Sequence, residues 1–473
     1  MKNYVPTKEW MAYAIGALGQ GMVYAIMSSY ISDFYLNVLK LTPLFVLLLV
    51  LLARIWDAAI DPILGYYMDR ANPKHGKLKS YIIYTPIPIA ILTVLLFYSP
   101  DLSGGALMAY AVITYIMWAT VYSVSDVPFW SLPNLMTPNP DERGAIISKA
   151  RTSNGVGSAV PMAFFMLLGF ILPSFGLSGT ELEETKYMTI TLFCAIVGNI
   201  LFIPVYFKTK ERVKIPPPPK KKEGEKGVVK IILTCKPLLL TALMGILSAA
   251  RYLYQAGAGL SGAEREAALQ SNISLVSTVF QVAAAAGMFI TMLVMPLVFK
   301  KFNYKQIIIS TSLLGAASSF IIYMIGYENF WACVPFFVIS CIPLGAINVC
   351  AFAMIGDSLD YMEWKTGVRL AGTGQAIQSF VTSFSNALAT GFIVVMYMIV
   401  NLDVASINAE VTANPLEMGH AVRQGMFSLI SIVPAVSLLI CTIPMFFYDL
   451  VGEKKERITR ELAERRKAAG TLS

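Results

Sequence analysis

Three acidic or basic residues share one apolar stretch: Arg54, Asp57 and Asp61. Spaced i, i+3 and i+7, they fall on one face of a helix. Two carboxylates one turn apart in low dielectric repel each other, so either one holds a proton or a cation lies between them. The competing reading is a helix–helix ion pair in which Arg54 neutralises one acid and leaves the other over. A second stripe, Ser123, Asp126 and Trp130, repeats the spacing beside Pro128. A carboxylate accepts paired hydrogen bonds from sugar hydroxyls, and an aromatic face packs on the C–H face of a pyranose. Core packing is the usual role of a lone Trp, but a place one turn from an intramembrane acid favours substrate contact. A third stripe, Gln375, Gln378, Ser379, Thr382 and Asn386, is neutral and hydrogen-bonding. Such a stripe lines an aqueous cavity or joins helices. The cavity is the favoured reading, and Asn348 and Gln20 are able to join it. Arg251 is a further intramembrane charge whose partner is not evident from sequence.

These residues need elements that hold them inside a membrane. Of 473 residues, 56% are apolar and 14% are charged, about half the charge of an ordinary soluble domain. Mean hydropathy is +0.62, and apolar runs of about 20 residues, each long enough to cross a bilayer, recur from Trp10 to Tyr448. An ionisable group in such a run costs roughly 2.5 to 3.5 kcal/mol, so each one calls for a reason. Twelve spans are predicted, near 10–34, 43–67, 81–98, 106–134, 152–175, 187–207, 237–260, 275–299, 307–327, 330–354, 372–400 and 424–448. Residues 208–236 carry Pro216 to Pro219 and Lys220 to Lys222 and cannot bury a core. They divide the chain into a six-helix bundle over 1–207 and another over 237–448, followed by a tail over 449–473. This is an all-α membrane protein of two pseudo-symmetric halves, an organisation in which substrates bind near the midplane between repeats.

Lys and Arg outside the spans gather on one side, with Lys40, Lys186, Arg265 and Arg423 on the other. By the positive-inside rule both termini face the cytoplasm of a multi-pass cell (inner) membrane protein. The net charge of +8 thereby reflects topology and not a nucleic-acid partner. Residues 454–467 read as a short basic amphipathic helix resting near anionic headgroups. Six cysteines lie mostly within apolar runs with no CxxC spacing, and the only histidines are His75 and His420. With no metal cluster, P-loop or nucleophile–base set, the chain does not read as an enzyme, and no cofactor is expected. No short apolar segment with a cleavage site opens the chain, so the N-terminus is expected to be retained.

Four motifs resemble one known family: Arg54-Ile-Trp-Asp57-Ala-Ala-Ile-Asp61-Pro-Ile-Leu-Gly65, Gly76-Lys77-Leu-Lys79, Asp126-Val-Pro-Phe-Trp130-Ser-Leu, and Asp357-Ser-Leu-Asp360-Tyr-Met-Glu363-Trp-Lys365-Thr-Gly. In that order they are similar to the glycoside-pentoside-hexuronide:cation symporters. The resemblance implies a major facilitator fold with twelve transmembrane helices, alternating access, and sugar uptake coupled to a cation. It implies cation-binding roles for Asp57, Asp61 and Ser123, with Asp57 and Asp61 metal ligands only if the ion is Na⁺. It also implies substrate roles for Asp126, Trp130, Arg151, Gln378 and Ser379.

The chain departs from the melibiose-permease pattern of that family in three places. Gln20 and Gly21 replace a Lys-Asp pair, Ile60 precedes the second cation-site acid, and Ser383 replaces a Lys. Ile60 offers no side-chain oxygen to a hard cation, so the expected coupling ion is H⁺ or Na⁺, with H⁺ no less favoured than Na⁺. The expected function is symport of a glycoside, pentoside or hexuronide. The alternatives are a related carrier for an anionic or amphipathic organic solute, or a sugar sensor that does not transport. The expected partners are a small sugar or glycoside and the lipid bilayer, with no nucleic acid and a monomeric state.

Overall fold

In a computed structural model, the residues described are 4–71, 75–176, 179–213, 273–299, 301–326, 329–367, 372–382 and 431–468, with isolated positions between them. The chain divides into two compact units. Unit 1 comprises Met1–Gly227, Leu359–Phe380 and Arg457–Ser473; unit 2 comprises Val228–Ser358 and Val381–Glu456. Among the described residues six helices are long and apolar enough to cross a membrane. Most of the linker, Arg251, and much of the seventh and eleventh predicted spans lie outside the described residues.

Unit 1 is built on α1 (Thr7–Asn37), which packs on α7 (Pro140–Ile171) and α8 (Gly179–Lys208). The helices meet backbone to backbone. A Cβ on Gly19 would collide with the Gly198 carbonyl of α8, and one on Gly21 with the Asn154 carbonyl of α7. In a bilayer, where apolar burial gives helices little mutual attraction, such close approach is what holds them. Ser153 and Asn154 add hydrogen bonds to the α1 carbonyls of Ala14 and Ala17, at 2.6 and 3.0 Å. Next to these helices α2 (Pro43–Arg70) packs on α5 (Gly104–Ser131).

In unit 1 two predicted spans differ from the observed helices in instructive ways. The fifth was expected from residue 152, yet α7 begins at Pro140. Asn139 caps it by accepting from Asp141 N, Pro140 stands where no N–H is needed, and Asp141 and Glu142 occupy the first turn. This polar opening is invisible to an apolar window. The third span is split into α3 (Lys79–Tyr84) and α4 (Pro86–Leu96), because Pro86 supplies no N–H to continue the ladder.

In unit 2, α9 (Ile273–Val298) packs on α11 (Phe330–Ser340), and α10 (Tyr304–Ile325) packs on α11 and α13 (Ile432–Phe446). The predicted tenth span is two helices, α11 and α12 (Ile342–Thr366), interrupted at Cys341. Pro343 cannot donate to the Ile339 carbonyl, which accounts for the break. A capping box between Asn303 and Gln306 starts α10. Lys305 Nζ donates to the carbonyls of Phe446 and Tyr448 at the end of α13, at 2.9 and 3.3 Å. The tail forms α14 (Gly452–Ala468), as expected, but its stripe of Ile458, Leu462 and Arg466 is buried against protein.

Candidate functional site

Asp126 stands on α5 just ahead of two prolines. Pro128 and Pro133 remove backbone donors, and Pro133 would otherwise have bonded the Phe129 carbonyl. Leu132 N, at 3.2 Å, and Tyr13 of α1 meet that need: the Tyr13 hydroxyl donates to Phe129 O at 2.9 Å, and its ring stacks on Phe129 at 4.6 Å. With the backbone held, the Asp126 carboxylate receives Gln20 Nε2 at 2.6 Å, and the Trp130 indole also bonds it. The Arg151 guanidinium of α7 lies 3.6 Å from the Trp130 ring centroid and interacts electrostatically with Asp126. Trp130 is 4% exposed, so one face of the expected stacking platform is covered by Arg151 in this conformation.

On α2 the Arg54 guanidinium donates to the Tyr24 hydroxyl at 3.1 Å. Asp57 and Asp61 each keep a buried Oδ1 with no hydrogen-bond partner, and both feel the charge of Asp126. Ser123 and Ser379 lie within reach of the Asp61 carboxyl. The expected cation-site residues, Asp57, Asp61 and Ser123, are therefore together, and beside them stand the expected substrate residues Asp126, Trp130, Arg151 and Gln20. Gln378 is 1% exposed with both amide atoms unpartnered, and Gln20 Oε1 is unpartnered as well. Buried polar atoms are nearly always bonded, so this concentration of orphans points to groups that arrive with a ligand or water. Asn348 falls on α12 of unit 2, with its Oδ1 also buried and unpartnered, and Arg251 lies outside the described residues.

Sequence reasoning passed over a second polar cluster in unit 1. Asp69, 1% exposed, accepts from Gly372 N at 2.8 Å, Thr373 N at 2.7 Å and Thr373 Oγ1 at 2.6 Å. It anchors the helical stretch 372–382, and Gly65 of α2 lies close enough that a Cβ there would crowd Ala376 and Gly372. Lys77 Nζ donates to Asp69 O at 2.8 Å, and Glu211 accepts from the backbone N–H groups of Lys77, Leu78 and Lys79 at 2.8 to 3.0 Å. Burial pulls the Lys77 amine down from its ordinary range, against the raising influence of Asp69 and Glu211. The local signal was the Asp69-Arg70 pair ahead of Gly76-Lys77-Leu-Lys79; the partner at Thr373 had none.

A sequence profile described as MFS/sugar transport protein matches residues 12–452. An uncharacterized symporter of Bacillus subtilis (strain 168), YjmB, is 27% identical over 463 residues, covering 97% of this chain and 95% of that protein. The isoprimeverose transporter of Lactiplantibacillus pentosus is 24% identical, covering 81% and 78%. The glucuronide carrier protein homolog of Escherichia coli (strain K12) is 23% identical, covering 100% and 99%. Among solved structures, the MFS transporter FucP in the outward conformation superposes with a TM-score of 0.60 at 12% identity, over 93% of this chain and 99% of that one. The proton:xylose symporter XylE bound to 6-bromo-6-deoxy-D-glucose gives 0.60 at 11%, over 93% and 95%. These likenesses establish the major facilitator fold. Matched by the profile over nearly its whole length, the chain belongs to the MFS/sugar transport family, in agreement with the resemblance to the glycoside-pentoside-hexuronide:cation symporters carried by its motifs.

Proposed function

We propose that the protein is a proton-coupled symporter of a neutral glycoside or pentoside, with the sugar bound at Asp126, Gln20, Trp130 and Arg151 and the proton carried on the Asp57–Asp61 pair. The observation that carries the reading is the Asp126 carboxylate, held by Gln20 at 2.6 Å, beside two acids with unpartnered buried oxygens. Protonation relieves the repulsion between those acids and favours the state that accepts sugar; by linkage each ligand then tightens the other. A proton asks for one carboxylate, whereas Na⁺ asks for a cage of oxygens to which Ile60 contributes none. Gln378 and Ser379 extend the hydrogen-bonding lining in this reading, Asn348 is a further proposed substrate residue, and Arg54 and Arg251 act as intramembrane counter-charges.

The reading includes two six-helix halves, 1–207 and 237–448, joined by 208–236, with both termini and the 449–473 tail on the cytoplasmic side of the cell membrane and a monomer as the working unit. Its support is the one-sided distribution of Lys and Arg. The test is substrate-induced current from proteoliposomes on a solid-supported membrane, with xylosides, glucosides, galactosides and uronates at two pH values, with and without Na⁺. A neutral sugar should give a current that survives removal of Na⁺ and declines at higher pH; a current that needs Na⁺ would reassign the ion. Arg151 at the substrate acid favours one second reading, a carrier of sugar acids, for which uronates alone would give the current.

A further inference from the structure

Three segments far apart in the chain converge on one carboxylate of unit 1. Asp360 Oδ2 accepts from Arg143 Nη2 at 2.9 Å, while its Oδ1 accepts from Arg466 Nη2 at 2.9 Å. Arg143 belongs to α7 and to the first half of the chain. Arg466 belongs to α14, in the tail, and also binds Glu363, through Nε to Oε1 at 3.0 Å and Nη2 to Oε2 at 2.5 Å. The side chains of Arg143, Arg466 and Asp360 are 0, 5 and 7% exposed, so these are desolvated, charge-assisted bonds. The tail helix is seated by more than charge. Ile458 and Leu462 are buried, Trp364 Nε1 donates to Glu461 at 2.6 Å, and Arg465 donates to the Trp364 carbonyl at 3.0 Å.

Transporters of this fold work by moving one half of the chain against the other about a fixed site. Arg143 and Asp360 come from opposite halves, so their bond has to break once per cycle. Were Arg143 the sole cation on it, breaking that bond would leave a nearly buried carboxylate without its opposite charge, a state far costlier than an intact pair. Arg466 follows the last span and shares its half of the chain with Asp360 and Glu363.

We propose that Arg466 is the standing counter-ion of Asp360, retained when Arg143 withdraws, so that the tail helix lowers the cost of opening this end of the transporter. Three features fit this role better than that of a clasp. Arg466 and Arg143 bond different oxygens of Asp360, Arg466 also binds Glu363 on its own half, and α14 is fastened to α12 through Trp364 and Glu461. The inference rests on the proposed halves, 1–207 and 237–448, and on their alternating movement, and is independent of which sugar or ion is carried.

The test is the labelling rate of a cysteine placed at Ala150, which is fully buried two turns along α7 from Arg143, by a water-soluble maleimide. The six native cysteines are buried and set the background. In the full chain reconstituted in proteoliposomes, Arg466→Gln should slow labelling roughly tenfold, the scale of ordinary conformational coupling, while Arg466→Lys, which keeps the charge, stays within about twofold. Melting curves check that both variants are folded; if Arg466→Gln is not, a chain ending at Glu456 carries the same expectation. Labelling that is unchanged by loss of the charge overturns the proposal, and faster labelling assigns α14 as a clasp.

Discussion

Gln20 donates to Asp126 at 2.6 Å while its own Oε1 is buried without a partner, so one amide of α1 both fixes the acid of α5 and offers an acceptor beside it. A sugar hydroxyl is a donor that satisfies such an acceptor. Gln20→Ala is expected to raise the substrate KM about tenfold, equivalent to one hydrogen bond to a charged site at roughly 1.5 kcal/mol. Asp126→Asn is expected to abolish the sugar-induced current. Titrating the current against sugar concentration checks both, and an unchanged KM in Gln20→Ala would remove this amide from the binding site.

Asp61 is 4% exposed and its Oδ1 is buried without a hydrogen-bond partner. Asp61→Asn should abolish accumulation against a gradient while sugar exchange between equal pools continues within about threefold. Asp57→Asn should likewise affect accumulation more than exchange. Uptake and counterflow measured in the same vesicles separate the two activities, and full accumulation in either variant would count against the assignment of that residue.

Close approach of α1 and α7 at Gly21 leaves no room for a side chain. Gly21→Val is expected to lower the melting midpoint of the purified protein by several degrees, since overpacking costs about 1 to 3 kcal/mol. Gly105, with open space around its Cβ position, provides the control: Gly105→Ala should leave the midpoint within a degree.

The Asp69 clamp predicts a graded series. Asp69→Ala forfeits three donors from Gly372 and Thr373 and should cost about 3 kcal/mol; Thr373→Val keeps both backbone bonds and should cost about 1 kcal/mol. Thermal melting in detergent ranks the two, and equal losses would mean that the hydroxyl, not the backbone N–H groups, carries the clamp.

Relationships within a turn or two were legible in the sequence. Arg54, Asp57 and Asp61 share a stripe because a helix repeats every 3.6 residues, and the same arithmetic set Ser123 near Asp126. Among the described residues, Thr7–Asn37 covers the span expected over 10–34, and Tyr304–Ile325 overlaps the one expected over 307–327. Polar helix ends such as Pro140 to Arg151 escaped a method that follows apolar content. Pairings across long stretches of chain escaped for a different reason. Asp69 with Thr373, Arg143 with Asp360, and Arg466 with Glu363 depend on tertiary approach, and no local periodicity encodes them. The orientation of Arg151 over Trp130 belongs to the same class.

Gln20 sits between two glycines whose missing side chains are occupied by neighbours, Gly198 on one side and Asn154 on the other. That stretch of wall therefore has a single adjustable tooth. Selection for a new substrate can retool position 20 at the expense only of its bond to Asp126, but changes at 19 or 21 must wait for compensating shifts in two other helices. A library randomised over 19–21 and selected for growth on an unfamiliar sugar should return its diversity almost entirely at 20.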